Sequence, residues 1–257
     1  MTIEAETRPG SMRTPRAFVA FEAEPLISIV VAVLNEEANI EPVAREIMRA
    51  FDGAFSYEIV FVDDGSDDGT VARIRALSAE NVRVVRHARR CGKSQAVRTG
   101  VAASRGAWIG TMDGDGQDDP LDIVEMLRQA LRAGGSPLVA GVRARRRDPI
   151  HRLIATRIGN GIRQALLHDG CPDTACGLKL FERRAFSRLP VFEGVHRFLP
   201  ALFQSYGHPL MLHEVNHRPR AAGVSKYTNW GRALVGVGDL LGVMWLRSRT
   251  RAPQLIE

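Results

Sequence analysis

The chain has 257 residues, of which 45% are hydrophobic and 25% charged, so it can bury the core of one large domain or two small ones. Its net charge of +6, from 35 Lys and Arg against 29 Asp and Glu, favours anionic partners such as nucleotides, phosphates or an acidic membrane surface. Nucleic acid is disfavoured, because the basic residues are not interleaved with aromatic residues that could stack on bases. The three cysteines lack zinc-type spacing and no secretory leader is visible, so we expect reduced thiols in a cytosolic protein.

Apolar segments of strand length alternate with helical patterns along the first 143 residues. This alternation is typical of an α/β fold with a doubly wound, mostly parallel sheet and helices on both faces. In such sheets, ligands bind beyond the carboxyl ends of the strands, and polar clusters follow the predicted strands at those ends. The predicted strands cover residues 26–33, 57–62, 82–86, 107–112 and 138–143.

The fourth strand runs into an acidic turn, DGDGQDDP, over residues 113–120. Carboxylates crowded at a strand end repel one another unless a positive charge lies among them, and Mg²⁺ commonly bridges carboxylates and substrate phosphates. Asp113 and Asp115 could therefore share a divalent cation. An isolated pair of this kind is more often a solvated turn, in which Asp118 or Asp119 caps the next helix, so the interpretation depends on the other motifs.

The second half of the chain carries a basic stretch and a basic loop. The stretch forms either a solvated face, partly on a helix over residues 150–168, or a wall that binds phosphate, for which arginine suits bidentate contacts. A late strand is predicted over residues 210–215, and a basic loop with a flexible Gly223 follows over residues 217–227. The arginines of the stretch are Arg143, Arg145, Arg146, Arg147, Arg152, Arg157 and Arg163.

The last informative segment, residues 233–246, is apolar except for Asp239 and has arginines on both sides. A helix of this length spans about 21 Å, whereas the hydrocarbon core of a bilayer is about 30 Å thick, so it should not cross a membrane alone. It either lies in a membrane interface with Trp245 at headgroup level or packs on protein. We expect a loose tail over residues 1–25, one domain over 26–230 and an amphipathic, membrane-associating segment over 231–257.

Seven motifs occur in a fixed order between residues 26 and 227, and together they resemble those of family-2 inverting glycosyltransferases of the GT-A fold. The nearest resemblance is to dolichyl-phosphate mannosyltransferases and bacterial polyprenyl-phosphate glycosyltransferases. One departure is Ala32-Val33-Leu34 before Asn35-Glu36, where the family's aromatic base contact is missing. The motifs are IVVAVLNEE (29–37), VDDGSDDGT (62–70), GK (92–93), MDGDGQDDP (112–120), GVR (141–143), DTACGLK (173–179) and RAAGVSKY (220–227).

The resemblance implies a role for each matching residue. A divalent cation, Mg²⁺ or Mn²⁺, would be held on the donor diphosphate by Asp113, Asp115 and Gln117. The residues implied in catalysis are Asp113, Asp115, Arg143 and the acceptor-side Asp173. The residues implied in binding the nucleotide sugar are Ala32, Leu34, Glu36, Asp64, Lys93, Asp113, Arg220, Ser225 and Lys226.

The activity implied by the resemblance is metal-dependent, inverting transfer of a hexose from a nucleoside diphosphate sugar to dolichyl or undecaprenyl phosphate. GDP-mannose is the favoured donor, ahead of UDP-sugars. The phosphate oxygen of the acceptor is ionised at neutral pH, so a strong general base is unnecessary. The protein would lie peripherally on the inner face of the cytoplasmic membrane, compatible with a homo-oligomer or a membrane partner subunit. The alternatives are a soluble glycan or protein acceptor and a non-catalytic nucleotide-binding protein.

Overall fold

The computed structural model describes residues 24–143, 150–216, 218 and 230–250. The strands predicted from the sequence are all present, with ends within one residue of the expected ones. The described strands are Ile27–Val33 (β1), Tyr57–Asp63 (β2), Val82–Arg86 (β3), Trp108–Asp113 (β4), Leu138–Arg143 (β5), Lys179–Glu182 (β6) and Leu210–Val215 (β7). The described helices are Glu37–Phe51 (α1), Thr70–Ala76 (α2), Lys93–Ala103 (α3), Pro120–Ala133 (α4), Ile150–Leu167 (α5), Arg183–Ser187 (α6), Leu199–Ser205 (α7) and Trp230–Arg249 (α8).

The strands form one sheet in the order β3-β2-β1-β4-β6-β5-β7. β1 pairs in parallel with β2 and β4, β2 with β3, and β5 with β7, which confirms the mostly parallel, doubly wound prediction. β6 was not predicted, and it runs antiparallel to both β4 and β5. A strand of four residues is too short to show a period-two pattern, so only its pairing with the neighbouring strands reveals it.

Helices cover both faces of the sheet. On one face, Ile47 of α1 and Met126 of α4 belong to the same hydrophobic cluster as Ile29 of β1. On the other face, Val97 of α3 shares a cluster with Val30 of β1. Successive residues of a strand point to opposite faces, so a strand covered on both sides must be apolar throughout. This explains the unbroken hydrophobic run in β1.

The C-terminal helix α8 has 20 residues, so it extends beyond the predicted 233–246 segment at both ends. Its Val243 is fully buried in the cluster under α3 and α7, and α8 therefore packs on the domain. Its other side is also apolar, because Val237, Leu241 and Trp245, each four residues from the next, are exposed. Of the helices described here, none combines the length and the hydropathy needed to cross a membrane.

The carboxyl edge of the sheet brings charged residues together. Asp63, Asp113 and Arg143 are the last residues of β2, β4 and β5. The turn after β4 lies so close to β1 that a Cβ on Gly114 would come within 2.4 Å of a Val33 methyl group. Asp119 then caps α4 by accepting a hydrogen bond from the Leu121 amide at 3.1 Å. Of the two caps predicted from the sequence, Asp118 and Asp119, the structure therefore uses Asp119.

Candidate active site

Four carboxylates lie in the acidic turn that follows β4, and one of them, Asp119, caps α4. Asp113 is half-buried, Asp115 is only 8% exposed, and Asp118 is buried. The turn is held by two backbone contacts, one from the Asp113 amide to Asp118 Oδ2 (3.1 Å) and one from the Gln117 amide to Asp115 Oδ1 (3.2 Å). Burial, together with the nearby charge of Asp113, raises the pKa of Asp118 to about 7. The repulsion expected among crowded carboxylates is therefore present.

Two lysines flank this turn. Lys93 Nζ, at the first position of α3, lies 2.5 Å from Asp113 Oδ1. Lys179, on β6, is buried and donates to the carbonyls of Thr174 (3.2 Å) and Cys176 (2.5 Å). Burial acts to raise the pKa of Asp113, but the charge and hydrogen bond of Lys93, with the charge of Lys179, outweigh it and keep the pKa lowered. Asp113 is therefore held in its ionised form.

The oxygen ligands of this turn fit a hard divalent cation such as Mg²⁺ or Mn²⁺. Asp113 and Asp115 offer carboxylates. Burial first, and then the charges of Asp113 and Asp115, raise the pKa of Asp118, and the charge of Lys93 only partly offsets them. A cation at this position would reduce the repulsion among these carboxylates. Gln117 has a further structural contact, since its Nε2 donates to the Arg218 carbonyl at 3.1 Å, and its role as a metal ligand remains a prediction.

The segment after α5 passes directly over the acidic turn. A Cβ on Gly177 would lie 2.9 Å from Asp118 Oδ2 and 3.0 Å from Asp113 Oδ2. Only glycine allows the chain to approach the carboxylates this closely. The same segment carries Asp173 and Lys179, which explains why residues distant in sequence belong to one site.

Half-buried Arg143 and buried Asp173 form a bidentate pair at this site. Arg143 Nε and Nη2 donate to the two carboxylate oxygens of Asp173 at 2.7 and 2.9 Å. Burial acts to lower the pKa of Arg143, but the hydrogen bond and charge of Asp173 raise it on balance. The sequence implied separate roles for these residues, on the phosphate and on the acceptor, whereas the structure joins them in one contact.

Arg163, the last arginine of the predicted basic stretch, has a structural role. Arg163 is buried and donates to Asp169 and to the carbonyl of Cys171. It belongs neither to a solvated face nor to a phosphate-binding wall, because it stabilises the loop after its own helix. Residues 145–147 lie outside the described residues, as do Arg220, Ser225 and Lys226 of the predicted phosphate-binding loop.

The predicted nucleotide-binding residues meet the acidic turn at the same edge. Ala32 pairs with Asp113 across β1 and β4, and Leu34 and Glu36 follow β1 directly. Asp64, after β2, accepts hydrogen bonds from the amides of Cys91 and Gly92, each at 2.8 Å. These two residues precede Lys93, which contacts Asp113. The 91–93 segment therefore contacts both the Asp64 loop and the acidic turn.

A family model described as Glycosyl transferase family 2 matches residues 28–189. The chain belongs to glycosyl transferase family 2. A dodecaprenyl-phosphate galacturonate synthase from Rhizobium johnstonii is 31% identical over 226 residues, covering 85% of this chain and 66% of that protein. An undecaprenyl-phosphate 4-deoxy-4-formamido-L-arabinose transferase from Aeromonas hydrophila is 30% identical over 206 residues, covering 79% and 63%. The chain thus spans less than two thirds of the length of these relatives.

Comparison with solved structures establishes the fold of the chain. A glucosyl-3-phosphoglycerate synthase from Mycobacterium tuberculosis, in complex with phosphoglyceric acid, aligns with a TM-score of 0.63 at 23% identity, over 90% of this chain and 81% of that one. The same enzyme in complex with Mn²⁺, UDP and glucosyl-3-phosphoglycerate aligns with a TM-score of 0.62 at 24% identity, over 90% and 81%. At these identities the likeness establishes the fold, which is GT-A.

Three further residues lie at this edge of the sheet and were not predicted as site residues. Asp118 was considered only as a helix cap, Lys179 only as the last residue of the DTACGLK motif, and His87 was not considered. His87 follows β3 at the carboxyl edge of the sheet, and its position beyond a strand end was the signal that could have found it. Asp118 and Lys179 are recognised only because the fold buries them beside Asp113. A motif read along the sequence contains no information about burial or distance.

Proposed function

We propose that this family-2 chain transfers a sugar from a nucleoside diphosphate sugar to a polyprenyl phosphate, with inversion at the anomeric carbon. The observation that carries the proposal is the acidic turn of Asp113 and Asp115, flanked by Lys93 and overlain by the Asp173 segment at the carboxyl edge of the sheet. The lysines on this edge would provide charge for the donor diphosphate, and Asp64, whose carboxylate is fixed by the Gly92 amide, would contact the nucleotide.

Asp113 and Asp115 are proposed to hold Mg²⁺ or Mn²⁺. Lys93 keeps Asp113 ionised, so the Asp113 carboxylate can bind a cation without first losing a proton. When bound, the ion would neutralise charge on the departing nucleoside diphosphate. Support comes from the M. tuberculosis synthase, which has been solved with Mn²⁺ and UDP.

The acceptor side is proposed to be built on Asp173. Its two oxygens are fixed by the Arg143 fork, which makes it better suited to orient a group than to remove a proton. A phosphate acceptor needs no deprotonation near neutral pH, so the chemistry fits the site. The relatives named above are enzymes of dodecaprenyl and undecaprenyl phosphates, which supports a polyprenyl phosphate as acceptor.

The sugar and base are the least constrained part of the proposal. The sequence motifs favoured GDP-mannose, but the relatives are named for galacturonate and 4-deoxy-4-formamido-L-arabinose. One solved synthase complex contains UDP, and another contains UDP-glucose. A UDP-sugar is therefore the first donor to test, with GDP-mannose second.

Helix α8 is proposed to rest on the membrane that carries the acceptor. Its stripe of Val237, Leu241 and Trp245 is exposed, which suits an interfacial helix. Arg247, one of the arginines that follow the apolar segment, instead donates to Ser205 Oγ at 2.9 Å and to the Leu167 carbonyl. Among the arginines that the structure describes on α8, headgroup contact would thus fall to the exposed Arg249. Location on the inner face of the cytoplasmic membrane remains a prediction.

The test is a transfer assay with a donor panel. Purified protein is incubated with undecaprenyl phosphate, Mn²⁺ and, in separate reactions, radiolabelled UDP-galacturonate, UDP-glucose, another UDP-sugar or GDP-mannose. We expect one donor to give a product that extracts into chloroform–methanol, and a chelator to abolish it. A parallel series with a water-soluble glycan acceptor serves as comparison. Label transferred only to the soluble acceptor, or product formed at the same rate with chelator, would contradict the proposal.

A further inference from the structure

Three potential metal ligands of different chemistry lie together beside the acidic turn. Asp64 follows β2, His87 follows β3, and Cys91 precedes α3. One carboxylate oxygen, one imidazole nitrogen and the thiol sulfur all lie within 4.8 Å of one another. Within the described part of the chain, no second group of three such residues comes as close. None of the proposed steps of sugar transfer uses His87 or Cys91.

The spacing of these atoms is near that of a zinc site. Zinc binds cysteine sulfur at about 2.3 Å and histidine nitrogen or carboxylate oxygen at about 2.0–2.2 Å, usually as a tetrahedron. Ligand atoms of such a tetrahedron are about 3.3–3.8 Å apart by these bond lengths. The longest separation in the group, within 4.8 Å, therefore needs to shorten by up to about 1.5 Å. The exposed side chain of Cys91 can provide this movement by rotating.

The two other ligands are already oriented by hydrogen bonds. His87 Nε2 lies 2.9 Å from Thr99 Oγ1 on α3, so its Nδ1 is directed at Asp64 Oδ1, 2.8 Å away. The amides of Cys91 and Gly92 fix the Asp64 carboxylate. Metal-binding histidines typically use their second nitrogen in such a contact. A purely structural Asp–His–Thr chain would have the same hydrogen bonds, but it would not require a thiol beside it.

We propose that Asp64, His87 and Cys91 form a binding site for a thiophilic divalent cation of the Zn²⁺ type. The site differs from the Asp113–Asp115 turn in its ligands, because sulfur and imidazole disfavour Mg²⁺ and favour zinc. In the metal-free contact His87 Nδ1 carries the proton, because the Asp64 carboxylate can only accept. Metal binding breaks that contact, moves this proton to Nε2, where Thr99 Oγ1 can accept it, and releases the Cys91 thiol proton to solvent, so affinity rises with pH. Three protein ligands leave one tetrahedral position for water.

A bound cation would also obstruct the nucleotide, and this consequence rests on the proposed function. Asp64 is the residue expected to contact the nucleotide, and a carboxylate engaged by zinc cannot make that contact in the same way. Zinc would then inhibit sugar transfer from a site outside the acidic turn. The inhibition would depend on Cys91, which has no part in the proposed transfer.

Cobalt spectroscopy on the purified full chain tests the site without any need for transferase activity. Co²⁺ is titrated in the presence of excess Mg²⁺, and we expect one equivalent to bind with a thiolate-to-cobalt charge-transfer band that Zn²⁺ removes. The band should vanish in Cys91→Ala, and cobalt affinity should fall at least about 10-fold in His87→Gln. Asp115→Asn is the matched control and should keep the band. Absence of the band from the wild type, or its persistence in Cys91→Ala, would overturn the proposal.

The inhibitory consequence has its own test. Zinc is titrated into the transfer assay with wild type and with Cys91→Ala, whose basal activity should be unchanged because Cys91 is exposed and outside the proposed chemistry. We expect inhibition of the wild type and resistance of the variant. Equal zinc sensitivity of the two proteins would contradict inhibition through this site. Failure to transfer any sugar would contradict the proposed function, and the cobalt result would still decide the metal site.

Discussion

Two regions of this protein reverse the usual distribution of polar and apolar residues. At the carboxyl edge of the sheet, charged side chains such as Asp118 and Lys179 are buried, whereas Leu241 and Trp245 of α8 are exposed. The two regions differ in whether their unusual side chains have partners within the protein. Asp118 accepts a hydrogen bond from the Asp113 amide, and Lys179 donates to two carbonyls, while the apolar stripe of α8 faces outward.

The buried charges at the sheet edge already have their partners within the chain, as expected of a preorganised site. The exposed stripe of α8 has the character of a surface that associates with something outside the chain. Buried charges are tolerated only when partners compensate for lost hydration, so removing a partner at the sheet edge should affect stability or chemistry directly. An exposed apolar stripe contributes little to the fold of the isolated chain, and its replacement should alter association alone. The following predictions test this separation, starting with the largest expected effect.

Asp115→Asn should lower the rate of sugar transfer by about 1,000-fold, because a divalent ion at such a site supplies several kcal/mol of charge stabilisation. Folding should be affected little, since the amide oxygen of asparagine can still accept the hydrogen bond from the Gln117 amide. Initial rates and Mn²⁺ affinity measure the effect. Glu125→Gln, an exposed carboxylate on the following helix, is the control and should keep wild-type values. Undiminished transfer by Asp115→Asn would remove the acidic turn from the mechanism.

Arg143→Met should destabilise the fold by about 3–5 kcal/mol, because it leaves the Asp173 carboxylate buried without its bidentate partner. Denaturant unfolding measures the loss. The double variant Arg143→Met with Asp173→Leu should recover much of it, since an apolar pair replaces an uncompensated charge. If the double variant were as unstable as the single one, the two residues would not be coupled, and the pair would not define the acceptor side.

The pH dependence of stability should carry a contribution from Asp118. Burial, then the charge of Asp113, raises its pKa from 3.8 to about 7, so the folded state holds this proton more tightly than the unfolded chain. Stability of the metal-free protein should therefore fall, through this group, as pH rises from 3.8 to about 7. Asp118→Asn cannot titrate and should lack that part of the decline. Unfolding free energies on both sides of this window measure it, and parallel curves for the two proteins would contradict the prediction.

The sequence could predict the fold because its strands are buried on both faces and its helices on one. β1 and β4 showed unbroken apolar runs, and the polar residues beyond them were correctly assigned to one edge of the sheet. β6 could not be predicted, because its four residues are ordered by pairing with β4 and β5. The Arg143–Asp173 salt bridge could not be predicted either. Both residues were identified as site candidates, but nothing in their spacing along the sequence shows that they bind each other.

Leu241→Gln should weaken binding to phosphatidylglycerol-containing vesicles by about 10-fold, since burying a leucine contributes roughly 1.5–3 kcal/mol. The stability of the protein should change by no more than about 0.5 kcal/mol, as for other exposed positions. Leu131→Gln on α4 is a matched control, because it makes the same change at another exposed helical leucine, 45% exposed against 60% for Leu241. Vesicle flotation and thermal unfolding of both variants separate the two contributions. A large loss of stability in Leu241→Gln would mean that the stripe packs on protein. Equal vesicle binding by the two variants would mean that α8 does not carry the membrane contact.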